Sequence, residues 1–361
     1  MARQGEDTTR VFVDCRYVRL GRHDGISRYT AGVVGELARL MPVELLIHDE
    51  RQLVHLPDLP WHRISAPTSW REPFVAWQVR RLRPDVVFSP MQTMGSWGRN
   101  YRLVLTLHDL IYYRNPTPPR DLPWPVRLLW RLFHLAWWPQ RVLLNRADAV
   151  VTVSATTAGL IAEKRLTRRP VTVVPNAAEP VPADEADVGR EPRTGTLVYM
   201  GSFMPYKNVE TLARAAALLP DHELHLLSRA PAGARERLTG LAGNGRLVFH
   251  DGVSDEEYRR LLRRATALVS ASRDEGFGIP LVEAMLLGTP VVVSDIPVFR
   301  EVAGEAGAFV PPEDAEGFAD AVRALEEPGV WEKRSAAAVE RASRFGWPRS
   351  AETLAALLRS L

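Results

Sequence analysis

Cysteine is all but missing from this chain of 361 residues: Cys15 stands alone. A single thiol excludes an internal disulfide and points to a reducing compartment. Lysine is scarce as well. Among 46 basic residues only Lys164, Lys207 and Lys333 are lysines, which makes each conspicuous where it stands near candidate chemistry. No uninterrupted apolar run reaches the ~18 residues needed to span a bilayer. The opening MARQGEDTTR lacks the apolar core of a secretion signal. A cytoplasmic location is therefore expected, with contact at most peripheral to the inner face of the plasma membrane. A strong charge of either sign is also lacking: the formal net charge of +3 is too small to argue for nucleic acid, and no such partner is expected. Internal repeats and low-complexity tracts are absent. So is any Asp-x-Asp element or His/Cys/Asp cluster at metal-ligand spacing, and neither a metal nor a resident cofactor is expected.

What remains is ordinary globular material, 46% hydrophobic and 25% charged, long enough for two domains. Short β-branched runs alternate with helical patterns. VFVDC, VELLIH, DVVFSP, LVLTLHD, AVVTVSA and VTVVPN read as strands in the first half. TLVYMGS, ELHLLS, RLVFHDG, TALVSAS, PVVVSDI and GAFVPP do so in the second. Ile26, Tyr29, Val33, Leu37 and Leu40 fall at helical spacing, Asn208 stands as a helix cap, and Ser254 with Glu257 has the spacing of a capping box. Such alternation means parallel sheets covered by helices. The Pro-, Glu- and Asp-rich stretch 177–195 reads as a linker. The expected division is residues 1–180, a linker over 181–195, a second domain over 196–340, and a last helix over 341–361. That helix either crosses back to the first domain or caps the second.

The densest local signal is SRDEGFGIPLVEAMLLGTPVVVSD, residues 272–295. Open α/β sheets bind ligands at the carboxyl ends of their strands, and this run leaves one. Gly276 and Gly278 permit close backbone approach, Pro280 suits a first helical turn, and free amides at a helix start attract phosphate. Glu275 lies in the loop and Glu283 is expected in the first turn, where a carboxylate accepts two hydroxyl hydrogen bonds. The alternative is a solvated loop glutamate and a complement to the helix dipole. A second cluster, YMGSFMPYKN, also follows a strand and places Lys207, a point charge suited to a diphosphate, just before a helix.

Together GSFMPYKN, SRDEGFGIPLVEAMLLGTPVVVSD and VVPNA resemble the family 4 glycosyltransferases. The likeness runs on through GRHDGISRYTAGVVGEL, TLHDL and ADAVVTVSATTAGLI and so covers most of the chain. Within that family it is similar to bacterial mannosyl- or rhamnosyl-type transferases. The resemblance implies an α/β GT-B fold, two doubly wound Rossmann-like domains facing a cleft. It implies a retaining, metal-independent transfer of a hexose from a UDP- or GDP-linked sugar to a glycan or lipid-linked acceptor. By it Lys207 contacts the donor diphosphate, and Glu275 holds hydroxyls of the transferred sugar. Phe277 and Gly278 offer backbone contacts, and Glu283 binds the ribose. Val253 touches the base, Gly25 faces the diphosphate, and His108 lies near the reacting sugar, unless it is simply a core histidine. There are two departures. Ser202 replaces a common arginine, so that either Lys207 carries more of the charge or Arg229 or Arg273 substitutes, and Asp24 stands where a second glycine is frequent.

Two further stretches stay open. In residues 121–148, Trp124, Trp130, Trp137 and Trp138 accompany Arg127, Arg131, Arg141 and Arg146, with no acid between Asp121 and Asp148. This describes either contact with an anionic membrane surface or a core helix with solvated arginines. Alternatives to the transferase are a nucleotide-sugar epimerase on the same scaffold and a non-catalytic sugar-nucleotide-binding partner, the latter favoured by Ser202. A dehydrogenase is disfavoured, because GFGIPL lacks the third glycine of a dinucleotide fingerprint.

Overall fold

The computed structural model describes residues 9–21, 24–118, 124–182 and 195–361. Most of the expected linker, residues 183–194, lies outside them, as do residues 121–123 of the tryptophan-rich stretch. The chain divides into two compact units, residues 1–177 with 346–361, and residues 178–345.

The first unit is built on β1 (Val11–Asp14), β2 (Val43–Ile47), β3 (Trp61–Arg63), β4 (Val86–Ser89), β5 (Arg102–Leu107), β6 (Ala149–Thr152) and β7 (Val171–Val173). They form one parallel sheet in the order β3-β2-β1-β4-β5-β6-β7. The second unit holds β8 (Thr196–Tyr199), β9 (Glu223–Leu226), β10 (Arg246–Phe249), β11 (Ala267–Ser270), β12 (Val291–Ser294) and β13 (Gly307–Val310), ordered β10-β9-β8-β11-β12-β13. Both are doubly wound α/β sheets whose order reverses beside the first strand.

The central strands are buried at every residue and apolar but for one terminal polar residue each, as in β1, β4, β6, β8, β11 and β12. Strands covered by helices on both faces need this pattern rather than alternation. Strand β3 is the one element of the two sheets that the sequence pattern did not announce. It is a three-residue edge strand, Trp-His-Arg, with both end residues exposed, so neither burial nor β-branching marked it.

The helix Trp347–Arg359 belongs to the first unit and packs along the helix Gly25–Leu40. Ser350 Oγ donates to the Pro175 carbonyl at 2.8 Å, and Arg359 donates to the Leu40 carbonyl at 2.7 Å. Trp347 is buried against Tyr29, ring centroids 6.1 Å apart.

Candidate functional site

In the second unit the strand order reverses between β8 and β11, the place where open α/β sheets bind ligands. The loops that leave these two strands carry Lys207 and Glu275. Lys207 ends the tight turn Pro205–Lys207, and its Nζ donates to Glu275 Oε1 at 2.5 Å. Ser272 Oγ donates to the same oxygen at 2.9 Å. Oε2 has no donor among the described residues. The two side chains are 17% and 13% exposed. One carboxylate oxygen is thus fixed, the other is open to a ligand hydroxyl, and the ammonium can turn to an anion.

Gly278 caps the helix Ile279–Leu286 with φ of +103°. A Cβ there would lie 3.0 Å from the Phe299 ring, so conformation and space both require glycine. Phe277 is buried edge-on against Phe345 at 5.5 Å, which commits its side chain to the core and leaves only its backbone for a ligand. Glu283 is not in the first helical turn, contrary to the expectation. The helix starts at Ile279 with Pro280 second, which puts Glu283 in the second turn and removes the helix-dipole reading. Instead Tyr258, from the helix Asp255–Arg264, donates to Glu283 Oε2 at 3.0 Å. Tyr258 and Ser272 were not legible as site residues, since nothing in their spacing marks them as supports for the glutamates.

Val253 is half-buried in the loop after β10, just past the left-handed residues Asp251 and Gly252. No described contact joins it to the Lys207–Glu275 pair, and Tyr258 links the helix that follows it to Glu283. Ser202 is exposed, and its carbonyl accepts from the Tyr199 hydroxyl at 2.6 Å. Arg273 does not substitute for an arginine at 202. Its guanidinium is held by Glu313 at 2.5 Å, the Pro205 carbonyl at 2.7 Å and Asn208 Oδ1 at 2.9 Å. Arg229 lies in the loop after β9 and is exposed. Asn208 precedes the helix Val209–Ala217 in a left-handed conformation and does not cap it through its side chain, which donates to the Pro312 carbonyl instead.

In the first unit the order reverses between β1 and β4. Gly25 opens a helix whose cap is Asp24, accepting from Ser27 N at 2.9 Å. The negative charge of Asp24 beside an expected anion site is offset by Arg19 at 2.7 Å. His108 follows β5, with Nε2 2.8 Å from the Pro90 carbonyl. A carbonyl only accepts, so Nε2 carries the proton and Nδ1 is the lone pair left to act. Burial lowers the His108 pKa below the ordinary imidazole value, with the Pro90 bond opposing it, and the ring is neutral at neutral pH. Tyr29 meets this ring edge-on at 5.0 Å.

Sequence reading also missed Arg16, which is wholly buried. It bonds Asp14 at 2.7 Å and Glu72 at 2.6 Å and stiffens the loop after β1. Among the described residues no three His, Cys, Asp or Glu side chains gather as metal ligands would.

Residues 23–180 match the family described as Glycosyltransferase Family 4, and residues 194–327 match Glycosyl transferases group 1. The chain is 26% identical over 326 residues to the O-antigen chain mannosyltransferase RfbU of Salmonella typhimurium, covering 86% of this chain and 89% of that one. It is 36% identical over 168 residues to a phosphatidyl-myo-inositol mannosyltransferase of Mycolicibacterium smegmatis, 43% of each chain. The fold matches HepE of Anabaena, solved with UDP and glucose, with a TM-score of 0.69 at 18% identity, over 98% of this chain and all of that one.

Proposed function

Because the chain belongs to the family 4 glycosyltransferases and has the GT-B fold, we propose that it moves a mannose-like hexose from a UDP- or GDP-linked donor to a hydroxyl of a glycan or lipid-linked acceptor. The observation that carries this reading is the convergence of Lys207, Ser272 and Glu275 at the switch point of the second sheet. Breaking a glycosyl–phosphate bond leaves negative charge on the departing diphosphate and positive charge on the sugar ring. Lys207 and the amides at the start of the helix Ile279–Leu286 stabilise the first. Glu275, anchored through Oε1, orients the sugar through Oε2 rather than attacking it. The leaving phosphate then assists same-face attack by the acceptor hydroxyl, and the anomeric configuration is retained. This reading places leaving-group stabilisation on Lys207 without a metal ion. Glu283, set by Tyr258, takes the ribose. Val253 meets the base, Gly25 the diphosphate, and His108 accepts a hydroxyl through Nδ1. A mannose donor is supported by the mannosyltransferases that the chain resembles, and a UDP donor by HepE.

The lipid-linked acceptor is supported by the helices Trp124–His134 and Trp138–Asn145. Trp124, Leu128, Leu129, Leu132, Leu135 and Trp138 are exposed there, beside Arg127, Arg131 and Arg141. This disfavours the core-helix alternative and suits an anionic membrane surface. No helix among the described residues is long and apolar enough to cross a membrane, and the reading places the enzyme peripherally at the cytoplasmic face. The test is a thermal-shift screen of UDP-, GDP-, dTDP- and ADP-sugars, followed by NMR of the product anomer with the best donor. Absence of a donor shift, or an inverted product, overturns the reading.

A further inference from the structure

Between residues 65 and 99 every exposed large hydrophobic side chain is a tryptophan. Trp70 is 77% exposed, Trp77 48% and Trp97 63%. Two of them flank Phe74 in a continuous row. Phe74 stacks on Trp97 at 5.7 Å and 28°, and lies against Trp77 at 5.3 Å. We propose that this Trp77–Phe74–Trp97 row is a saccharide-binding surface for the acceptor glycan, an assignment that rests on the transferase reading above.

The row is built to stay open and fixed. Gly95 N donates to Glu72 Oε1 at 3.1 Å, and a Cβ on Gly95 would fall 1.9 Å from the Glu72 carbonyl oxygen. Gly98 takes φ of +75°, and a Cβ there would meet Trp77 Nε1 at 2.2 Å. Two glycines therefore let the loop after β4 lie directly against the aromatic segment. Glu72 in turn grips Arg16 at 2.6 Å, which ties the row to the loop after β1. That loop leaves the sheet at its own switch point, where a ligand is expected. Rigid aromatic rings bind with little loss of conformational freedom.

The chemistry selects the occupant. A pyranose offers a flat patch of C–H bonds edged by hydroxyls. An indole offers an apolar face with a polar N–H at its edge. Arg71, 5.4 Å from the Trp70 ring centre, and Arg80, donating to the Gly98 carbonyl, supply polar groups beside the rings. The exposed face of helices Trp124–His134 and Trp138–Asn145 is by contrast mostly leucine and valine, the composition an acyl layer favours.

The test is fluorescence anisotropy with labelled α-mannotetraose and its glucose- and rhamnose-based counterparts. We expect the wild type to bind at least one of them and Trp97→Ala to weaken that binding about tenfold, as loss of one aromatic contact would. Trp97→Phe should stay within about threefold, since a ring remains. Both variants should keep the wild-type donor thermal shift, because Trp97 is not among the residues assigned to the donor. The proposal is overturned if Trp97→Ala binds the sugars as the wild type does, or if the wild type binds none of them. It is also overturned if the substitution alters anionic-vesicle binding or oligomeric state instead. Sugar binding lost at Trp97 without any donor shift in the wild type would leave the surface standing and fault the transferase reading alone.

Discussion

Lys207 Nζ and Glu275 Oε1 stand 2.5 Å apart across loops separated by 68 positions in the chain. Each charge is the other's counterion until a ligand arrives. A diphosphate competes with Glu275 for the ammonium, and sugar hydroxyls replace what the carboxylate loses. Lys207→Ala and Glu275→Gln should both cut turnover by roughly 100-fold or more, the scale of lost transition-state contacts. Near-wild-type turnover in either variant contradicts the site.

The same pair makes a separate prediction about stability. Lys207→Ala leaves a shielded carboxylate without its cation, at a cost of about 1–3 kcal/mol. Lys207→Met with Glu275→Gln removes both charges and should recover most of that. Urea unfolding of the single and double variants checks it. Equal midpoints for both would mean that the pair is not coupled.

Tyr258→Phe deletes the hydroxyl that donates to Glu283 and keeps the ring. If Glu283 holds the ribose, the donor KM should rise about tenfold, or ~1.4 kcal/mol, close to the lower end of what one hydrogen bond to a charged group is worth. The kcat should stay nearly unchanged, because the ribose is remote from the reacting bond. A fall in kcat at constant KM would place Glu283 elsewhere in the reaction.

The two sheets were legible because buried central strands must be mostly apolar, and the valine-rich runs that open Val11–Asp14 and Val291–Ser294 can hardly be read otherwise. The turn into the helix Ile279–Leu286 was legible because Gly278 and Pro280 carry backbone information in their identities. The engagement of Arg273 was not legible, because a guanidinium's partners come from distant segments. Glu313 and Pro205 lie 40 and 68 positions away, and no local pattern encodes them. Nor was the turn that holds Glu283, because the last loop residue and the first helical one differ only in φ at Gly278.

Acid should destabilise the fold before carboxylates titrate. Burial lowers the pKa of His48, His108, His134 and His225. The unfolded chain takes up these protons near pH 6.5 and the folded one only below it, so the unfolded state binds more protons in that interval. Stability is then full above about pH 6.5 and lost as pH falls toward the depressed folded values. Carboxylates held down against burial, such as Asp148 by the Leu103 amide and then by Arg99, act in the same direction only nearer pH 4. Urea midpoints measured from pH 7.5 to 5.5 should fall, and a flat profile refutes the argument.

Leu129→Asp with Leu132→Asp places two charges on an exposed face, so the melting temperature should barely move. Co-sedimentation with phosphatidylglycerol vesicles should be lost, and wild-type binding should weaken with added salt. Wild-type binding that ignores anionic lipid would remove the membrane contact from the reading.

The helix Gly25–Leu40 offers a paired experiment on what holds Tyr29 against His108. A Cβ on Gly35 would have nothing within 4 Å, whereas a Cβ on Gly32 would lie 2.3 Å from a ring carbon of Trp347. Helix propensity favours alanine over glycine by about 1 kcal/mol at both sites. At Gly35 nothing opposes it, and Gly35→Ala should stabilise by roughly that amount. At Gly32 the methyl meets a buried indole packed on Tyr29, and overpacking of about 1–3 kcal/mol outweighs the propensity. Gly32→Ala should therefore destabilise, and Trp347→Leu should cost less in that background than in the wild type. Because Tyr29 also borders His108, Gly32→Ala should lower kcat while Gly35→Ala leaves it alone. Matching effects of the two substitutions on stability would show that Trp347 does not occupy that notch.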